Sequence, residues 1–148
     1  MNKVFNTPFE TGLRLLLILN NTTSTGMSID RIAAIDFMTL YGKDFDITDF
    51  NLNGVNDFNF SELSTRREIC LKGLKDFALD GLVDVKQTPS GFKYKINKVG
   101  KHYVESLDSD YSKQYISTLI KVFDSIGKKT DAALIREINN KAIQALRR

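Results

Sequence analysis

The sequence predicts a mainly α-helical fold with one small β-hairpin, and three observations carry this prediction. Apolar residues recur at helical spacing up to Asp80, a glycine follows at position 81, and two short segments then alternate apolar and polar side chains. A helix that ends at a glycine and leads directly into a hairpin is typical of a winged helix-turn-helix domain, in which the hairpin is the wing. Further helices downstream extend this domain at its C-terminal end.

The helix before Gly81 has one apolar stripe, formed by Cys70, Leu74, Phe77 and Ala78. Thr65 and Glu68 match a capping box, in which the threonine hydroxyl accepts a hydrogen bond from the amide three residues later. This match predicts that the helix begins at Thr65. Gly81 can adopt the left-handed conformation that commonly ends a helix.

The hairpin is predicted from two alternating segments, one around Val83 and Val85 and one whose apolar members are Phe92, Tyr94 and Ile96. If these three side chains face inward, Lys93 and Lys95 lie on the solvent face. No acidic residue occurs between positions 86 and 101, so the wing is basic. Lysines in such a place can contact phosphates, and the candidate DNA-binding residues are therefore Lys86, Lys93 and Lys95.

Two helices are predicted before this unit. Residues 7–20 begin with a capping box of Thr7 and Glu10, and Ser28 can cap a second helix that continues to about Tyr41. Asp36 is unusual because it lies beside the apolar stripe of the second helix. Unpaired buried charges are rare, so we expect Asp36 at the edge of the stripe, where it meets solvent or an arginine.

An insert at residues 42–61 separates the second helix from the next, where a helix-turn-helix normally has a turn of only three or four residues. Between positions 36 and 62 six acidic residues face a single base, Lys43. The insert is also too apolar for an ordinary linker. Its large apolar residues are Phe45, Ile47, Phe50, Leu52, Val55, Phe58 and Phe60. We expect it to dock on the domain itself or on a partner.

The C-terminal part predicts helices at 98–107, 111–126 and 130–146. Each of the last two has an apolar stripe that must be covered: Tyr115, Leu119, Val122 and Ile126 in one, and Ile135, Ile138, Ala142 and Ala145 in the other. The predicted organisation is a winged-helix domain at 1–107, with its insert at 42–61, and a helical extension at 108–148. The extension packs on that domain or on a partner.

The sequence offers little for catalysis. It has one cysteine, Cys70, and one histidine, His102, without the ligand spacing of a metal site, and it has no phosphate-binding loop or nucleophile elbow. We therefore expect no enzymatic activity, catalytic residue, metal or cofactor. The single cysteine and the lack of a signal or membrane-spanning segment predict a cytoplasmic protein that does not bind membranes.

Several short segments give the sequence a resemblance to a known family. They are Arg14, Asp30-Arg31, Asp36, Tyr41-Gly42-Lys43-Asp44-Phe45, Leu52-Asn53-Gly54, Glu62, Arg66-Arg67 and Gly81-Leu82-Val83. Over roughly the first hundred residues the sequence resembles the middle component of bacterial ABC three-component systems. The resemblance implies an adaptor that joins an SMC or Rad50-like ATPase to an effector, often a nuclease. Lamassu-type antiphage systems belong to the same broad group.

The first hypothesis is therefore a non-enzymatic adaptor in an antiphage defence complex, with possible contact to double-stranded DNA through the assembled complex. The residues expected to serve structural pairing or partner contact are Asp36, Asp44, Phe45, Arg66 and Arg67. The alternative is a winged-helix transcriptional regulator whose C-terminal helices form a dimer. A third hypothesis is an enzyme whose site is completed by another chain.

Overall fold

The computed structural model describes residues 7–22, 25–52 and 63–146, which form six α-helices and one two-stranded antiparallel sheet. The elements are α1 (Pro8–Asn20), α2 (Ile29–Leu40), α3 (Leu63–Leu79), β1 (Val83–Thr88), β2 (Gly91–Ile96), α4 (Lys98–Val104), α5 (Asp110–Ile126) and α6 (Asp131–Leu146). A single turn of 3-10 helix, Gly42–Phe45, follows α2. The prediction of a mainly helical chain with one hairpin is confirmed.

The helix starts show how local sequence sets these elements. The hydroxyl of Thr7 accepts from the amide of Glu10 at 3.2 Å, and that of Ser28 accepts from the amide of Arg31 at 3.1 Å. The predicted start of α3 at Thr65 is wrong, because the helix already begins at Leu63. A threonine in helical conformation is not an N-cap, and a Thr and a Glu three residues apart are also compatible with the first turns of a helix.

The hairpin follows α3 through Gly81, whose φ of +85° is left-handed, as predicted. Val85 pairs with Tyr94, and Lys86 pairs with Lys93. The other edge of β2 is bridged by the segment between α1 and α2, since the amide of Met27 donates to the Tyr94 carbonyl at 2.9 Å and the carbonyl of Met27 accepts from the Tyr94 amide at 2.8 Å. The hairpin is therefore attached to the chain at two places. It continues from α3, which follows α2, and it pairs with the segment that precedes α2.

Only the half of the hairpin nearest the helices is covered on its apolar face. Val83, Tyr94 and Ile96 are buried, whereas Val85 and Phe92 are 45% and 54% exposed. Phe92 was expected to face inward, and this expectation is wrong, because its side chain is in contact with solvent. Phe92 does share a face with Tyr94 and Ile96, but its side chain is 54% exposed.

The core lies where α1 and α2 meet the other helices. Helix α1 packs against α3 and α5, and α2 packs against α3, α5 and α6. The predicted stripe of α5 is confirmed, since all four of its residues are buried. In α6 the predicted stripe is confirmed at Ile138, which is fully buried, while Ile135 and Ala142 are half-buried and the burial of Ala145 lies outside the description. Leu134, which the predicted stripe left out, is also fully buried.

The described part of the insert packs against the chain itself. Phe45 is buried, Ile47 and Leu52 are half-buried against the core, and Phe50 is 52% exposed. Val55, Phe58 and Phe60 lie outside the described residues. The winged-helix assignment and the domain boundary at residue 107 stay predictions. Across the described residues, no helix combines the length and the apolar character needed to cross a membrane.

Candidate functional site

A buried ion pair lies at the junction of α1, α2 and α5. Nε of Arg14 donates to Oδ1 of Asp36 at 2.9 Å and Nη2 donates to Oδ2 at 3.0 Å, while the hydroxyl of Tyr115 donates to Oδ1 at 2.5 Å. The side chains of Arg14 and Asp36 are only 4% and 3% exposed. The expected arginine is present, but the expected edge position of Asp36 is wrong because α5 covers it.

Burial and charge fix the protonation states in this cluster. Burial raises the pKa of Tyr115 well above its ordinary value, and the neighbouring charge of Asp36 raises it further. Burial alone would lower the pKa of Arg14, but the charge of Asp36 and the hydrogen bonds to it raise that pKa overall. Arg14 therefore stays protonated, and Tyr115 stays a neutral donor.

Arg66, in the second turn of α3, makes a different set of contacts. Its guanidinium carbon lies 5.5 Å from the ring centroid of Tyr41 and 6.0 Å from that of Phe37, within the range of cation–π attraction. Nη2 donates to the Tyr41 hydroxyl at 2.9 Å. Nε is shielded from solvent and has no hydrogen-bond partner among the described residues. Arg66 is thus oriented by aromatic side chains of α2.

Arg67, its neighbour, is paired with a carboxylate. Its Nε donates to Oδ1 of Asp30 at 2.6 Å, and both side chains are about two-fifths exposed, at 38% and 43%. The hydrogen bond to Asp30 raises the pKa of Arg67. The two adjacent arginines predicted for partner contact therefore differ, since Arg67 already has an acidic partner within the chain.

The remaining two predicted partner-contact residues lie in the turn after α2. Phe45 is 6% exposed and meets Phe37 edge-on, with ring centroids 6.2 Å apart, so it packs inside the chain. The carboxylate of Asp44 accepts from the Asn51 side chain at 3.2 Å, and that side chain also accepts from the amide of Lys43 at 2.9 Å. Partner contact by Asp44 stays a prediction, and its hydrogen bond stabilises the turn.

A cavity of about 120 Å³ lies beside the ion pair and Arg66. Its lining residues come from α1, α2 and α3: Thr11, Arg14, Asp36, Thr65, Arg66, Ile69 and Cys70. Burial raises the pKa of the Cys70 thiol, which is therefore protonated rather than a nucleophilic thiolate. Within the part of the chain that the structure describes, no group of three or more His, Cys, Asp or Glu side chains could hold a metal ion.

The three predicted DNA-binding lysines share one face of the hairpin, opposite to Tyr94. Lys86 lies directly across from Lys93, and Lys95 lies across from Asp84. Lys86 and Lys95 are exposed and Lys93 is half-buried. Like charges in directly opposed positions repel, so this face favours an anion that neutralises them.

Sequence reasoning missed the roles of Tyr41 and Tyr115. One signal was present: Arg14 lies in a helix that is otherwise almost entirely apolar from Leu13 to Leu19. An arginine in a helix with no solvent face requires a buried carboxylate, and Asp36 was the acid beside an apolar stripe. No comparable signal pointed to Tyr115, because its contact spans 79 positions of the sequence.

The described residues form a small helical protein in which Arg14, Arg31 and Arg67 pair with aspartates and the described part of the insert packs on the core. The family model for the "ABC-three component (ABC-3C) system Middle Component 2" matches residues 4–148, and the chain therefore belongs to this family. A middle component of a three-component system has other subunits as partners. No curated protein and no solved structure matches the chain significantly.

Proposed function

We propose that this chain is a non-enzymatic adaptor that joins an SMC or Rad50-like ATPase to an effector nuclease in a cytoplasmic antiphage system related to the Lamassu type. The family match over residues 4–148 carries this proposal, because it makes the chain one component of a multi-subunit system. The structure supplies two further supports, one from the state of its reactive groups and one from the hairpin.

The reactive groups of the described residues suit a scaffold better than a catalyst. The Cys70 thiol is buried and protonated, and His102 is 89% exposed beside Glu105 on the surface of α4. The buried charges of Arg14 and Asp36 are directed at each other. Such an arrangement supports an adaptor, since a general base or nucleophile must be able to reach a substrate.

The order of elements supports the proposed winged helix. Helix α3 leads through Gly81 into the hairpin, and the Met27 bridge attaches the segment between α1 and α2 to the same sheet. In this arrangement α3 is the recognition helix and the hairpin is the wing. Lys86 and Lys93 would then contact the phosphates of double-stranded DNA held by the assembled complex.

Co-expression with the other two components of the system tests the adaptor role. We expect the three chains to elute together in size-exclusion chromatography, and the ATPase and effector to elute separately when this chain is omitted. Migration of all three as separate species would contradict the proposal. Loss of enzymatic activity after His102→Ala, with the complex intact, would favour the enzyme hypothesis instead.

DNA contact is tested by titrating the complex with a duplex at several salt concentrations. Each phosphate contact contributes about 0.9 to the slope of log affinity against log salt, so Lys86→Gln with Lys93→Gln should reduce the slope by about 2. Lys121→Gln, an exposed lysine on α5, is the matched control and should leave the slope unchanged. An unchanged slope in the double variant would exclude the wing as the DNA contact.

The hairpin also keeps the transcriptional-regulator hypothesis open, because a basic wing is equally suited to a promoter. A regulator should dimerise without the other components and bind a palindromic site with a preference that survives competitor DNA. An adaptor should do neither. Sedimentation of the isolated chain distinguishes the two functions.

A further inference from the structure

Among the arginines of the described residues, Arg66 combines partial burial with the lack of an acidic partner. Arg14, Arg31 and Arg67 each form an ion pair with an aspartate. Arg136 has no such pair, but it is exposed on α6. Arg66 is half-buried, and none of the described carboxylates lies within ion-pair distance of it. A charge that is partly removed from water without a counter-charge is unfavourable.

The guanidinium of Arg66 also has unused hydrogen-bonding capacity. An arginine carries five N–H donors, and the described residues accept one bond from Arg66, at the Tyr41 hydroxyl. The shielded Nε has no partner among those residues. An unpaired buried donor in a native structure requires an explanation, and a group bound beside it is one. The rings of Phe37 and Tyr41 restrict the guanidinium, so little side-chain entropy is lost when such a group arrives.

The cavity that Arg66 lines has a matching size and charge. Arg14 and Asp36 neutralise each other, so the described residues of the lining carry one net positive charge, that of Arg66. The cavity of about 120 Å³ is large enough to receive the end of an acidic side chain.

We infer that this cavity receives the carboxylate of an aspartate or glutamate side chain from another subunit, and that Arg66 binds it. The inference rests on the proposed adaptor function and gives the chemistry of its contact. A planar carboxylate matches the fork of a guanidinium, and the positive charge of Arg66 complements it. Arg66 is therefore the binding residue, and Phe37 and Tyr41 are positioning residues.

The test measures the affinity of this chain for the other two components by biolayer interferometry. Arg66→Gln should weaken binding by about 30-fold or more, because the partner's carboxylate is left buried and unpaired. Arg136→Gln removes the same charge from an exposed site of α6 and should change the affinity less than about twofold. Arg66→Lys keeps the charge without the bidentate fork and should fall between wild type and Arg66→Gln. The thermal midpoint of each variant checks that it folds.

Other outcomes would overturn the inference. Unchanged affinity in both Arg66 variants excludes the site while leaving the adaptor role intact, whereas failure of the wild-type chain to bind overturns both. Weaker duplex binding with unchanged subunit binding would identify a phosphate as the occupant. Glu62 precedes Arg66 by four positions in the sequence. If Glu62→Gln and Arg66→Gln weaken binding equally and without additivity, the carboxylate belongs to this chain and the inference is wrong.

Discussion

Asp36 connects three helices through one carboxylate, which receives bonds from Arg14 on α1 and Tyr115 on α5. Removing two charges from water is costly, and only excellent geometry offsets that cost. The bidentate contact to Arg14 and the added phenol supply such geometry. The cluster therefore favours one arrangement of α1, α2 and α5, because any shift leaves a charge buried without its partner.

Asp36→Asn keeps the size of the side chain but removes its charge. We expect a loss of about 3–5 kcal/mol in the free energy of unfolding, because the guanidinium of Arg14 stays buried without a counter-charge. Urea denaturation followed by circular dichroism measures this loss. Asp76→Asn is the control, since its pair with Lys72 is exposed and should contribute only about 0–1 kcal/mol. A loss below 1 kcal/mol for Asp36→Asn, roughly that of the control, would contradict the buried pair.

The buried tyrosines predict how stability depends on alkaline pH. Burial raises the pKa of Tyr115 well above its ordinary value and raises that of Tyr111 to about 12. In the unfolded chain both phenols ionise near about pH 10. Above that pH the unfolded state binds fewer protons than the folded state, so the free energy of unfolding falls as pH rises.

For each of these phenols we expect a loss of up to about 1.4 kcal/mol per pH unit above about pH 10. Urea titrations at a series of pH values measure this slope. The Cys70 thiol, whose pKa burial also raises, adds a similar dependence from about pH 8.5. Tyr115→Phe should make the slope above about pH 10 shallower, and an unchanged slope would show that Tyr115 ionises equally well in the folded state.

At the scale of elements, the contact between α1 and α3 depends on two glycines. A Cβ atom built on Gly73 would lie 2.6 Å from the Pro8 carbonyl oxygen and 3.1 Å from the backbone of Gly12. A Cβ on Gly12 would lie 2.4 Å from the ring of Phe77. The two helices can approach this closely only because neither position has a side chain.

Gly73→Ala should therefore destabilise the protein although alanine is the better helix former by about 1 kcal/mol. The opposing backbone of α1 has no side-chain freedom to relieve the clash, and overpacking of this kind costs about 1–3 kcal/mol. The midpoint of thermal unfolding measures the change. Ser117→Ala, at an exposed position of α5, is the control and should change stability by less than about 0.5 kcal/mol. A more stable Gly73→Ala variant would show that the helices can separate.

Most elements could be predicted because their signals are local. Thr7 and Ser28 cap their helices, Gly81 ends α3, and the alternation after it forms the strands. The start of α3 was predicted two residues late, because a Thr and a Glu three residues apart also occur within a helix. In α6 the predicted stripe is confirmed at Ile138, but helical spacing did not show that Leu134 is buried beside it.

At the scale of the whole molecule, the C-terminal helices complete the core of the chain. The stripe of α5 is 0–2% exposed, and Tyr115 within it bonds to Asp36. Asp131 accepts from the Ser28 hydroxyl at 2.6 Å and pairs with Arg31 at 3.2 Å, so α6 is held against the start of α2. The apolar faces of both helices are used within the chain.

A chain that ends at Leu107 should therefore not fold on its own. Removal of α5 exposes the buried face of α2 and leaves Asp36 with one of its two partners. We expect the shortened chain to lack the near-ultraviolet circular dichroism signals of tertiary structure that the full-length chain shows. A cooperative unfolding transition in the shortened chain would support an independent domain at 1–107.

The sequence by itself determined the helices, the hairpin and the basic face of that hairpin, because caps, glycines and periodicity act between neighbours along the chain. It also carried the resemblance to the middle component family, which the match over residues 4–148 confirms. Only the tertiary structure decided that Asp36 is buried with Arg14 and Tyr115, that Phe92 is exposed, and that Arg66 lines a cavity while forming no ion pair with a described carboxylate. These features arise from contacts between residues far apart in sequence, and no local pattern specifies which helix covers which side chain.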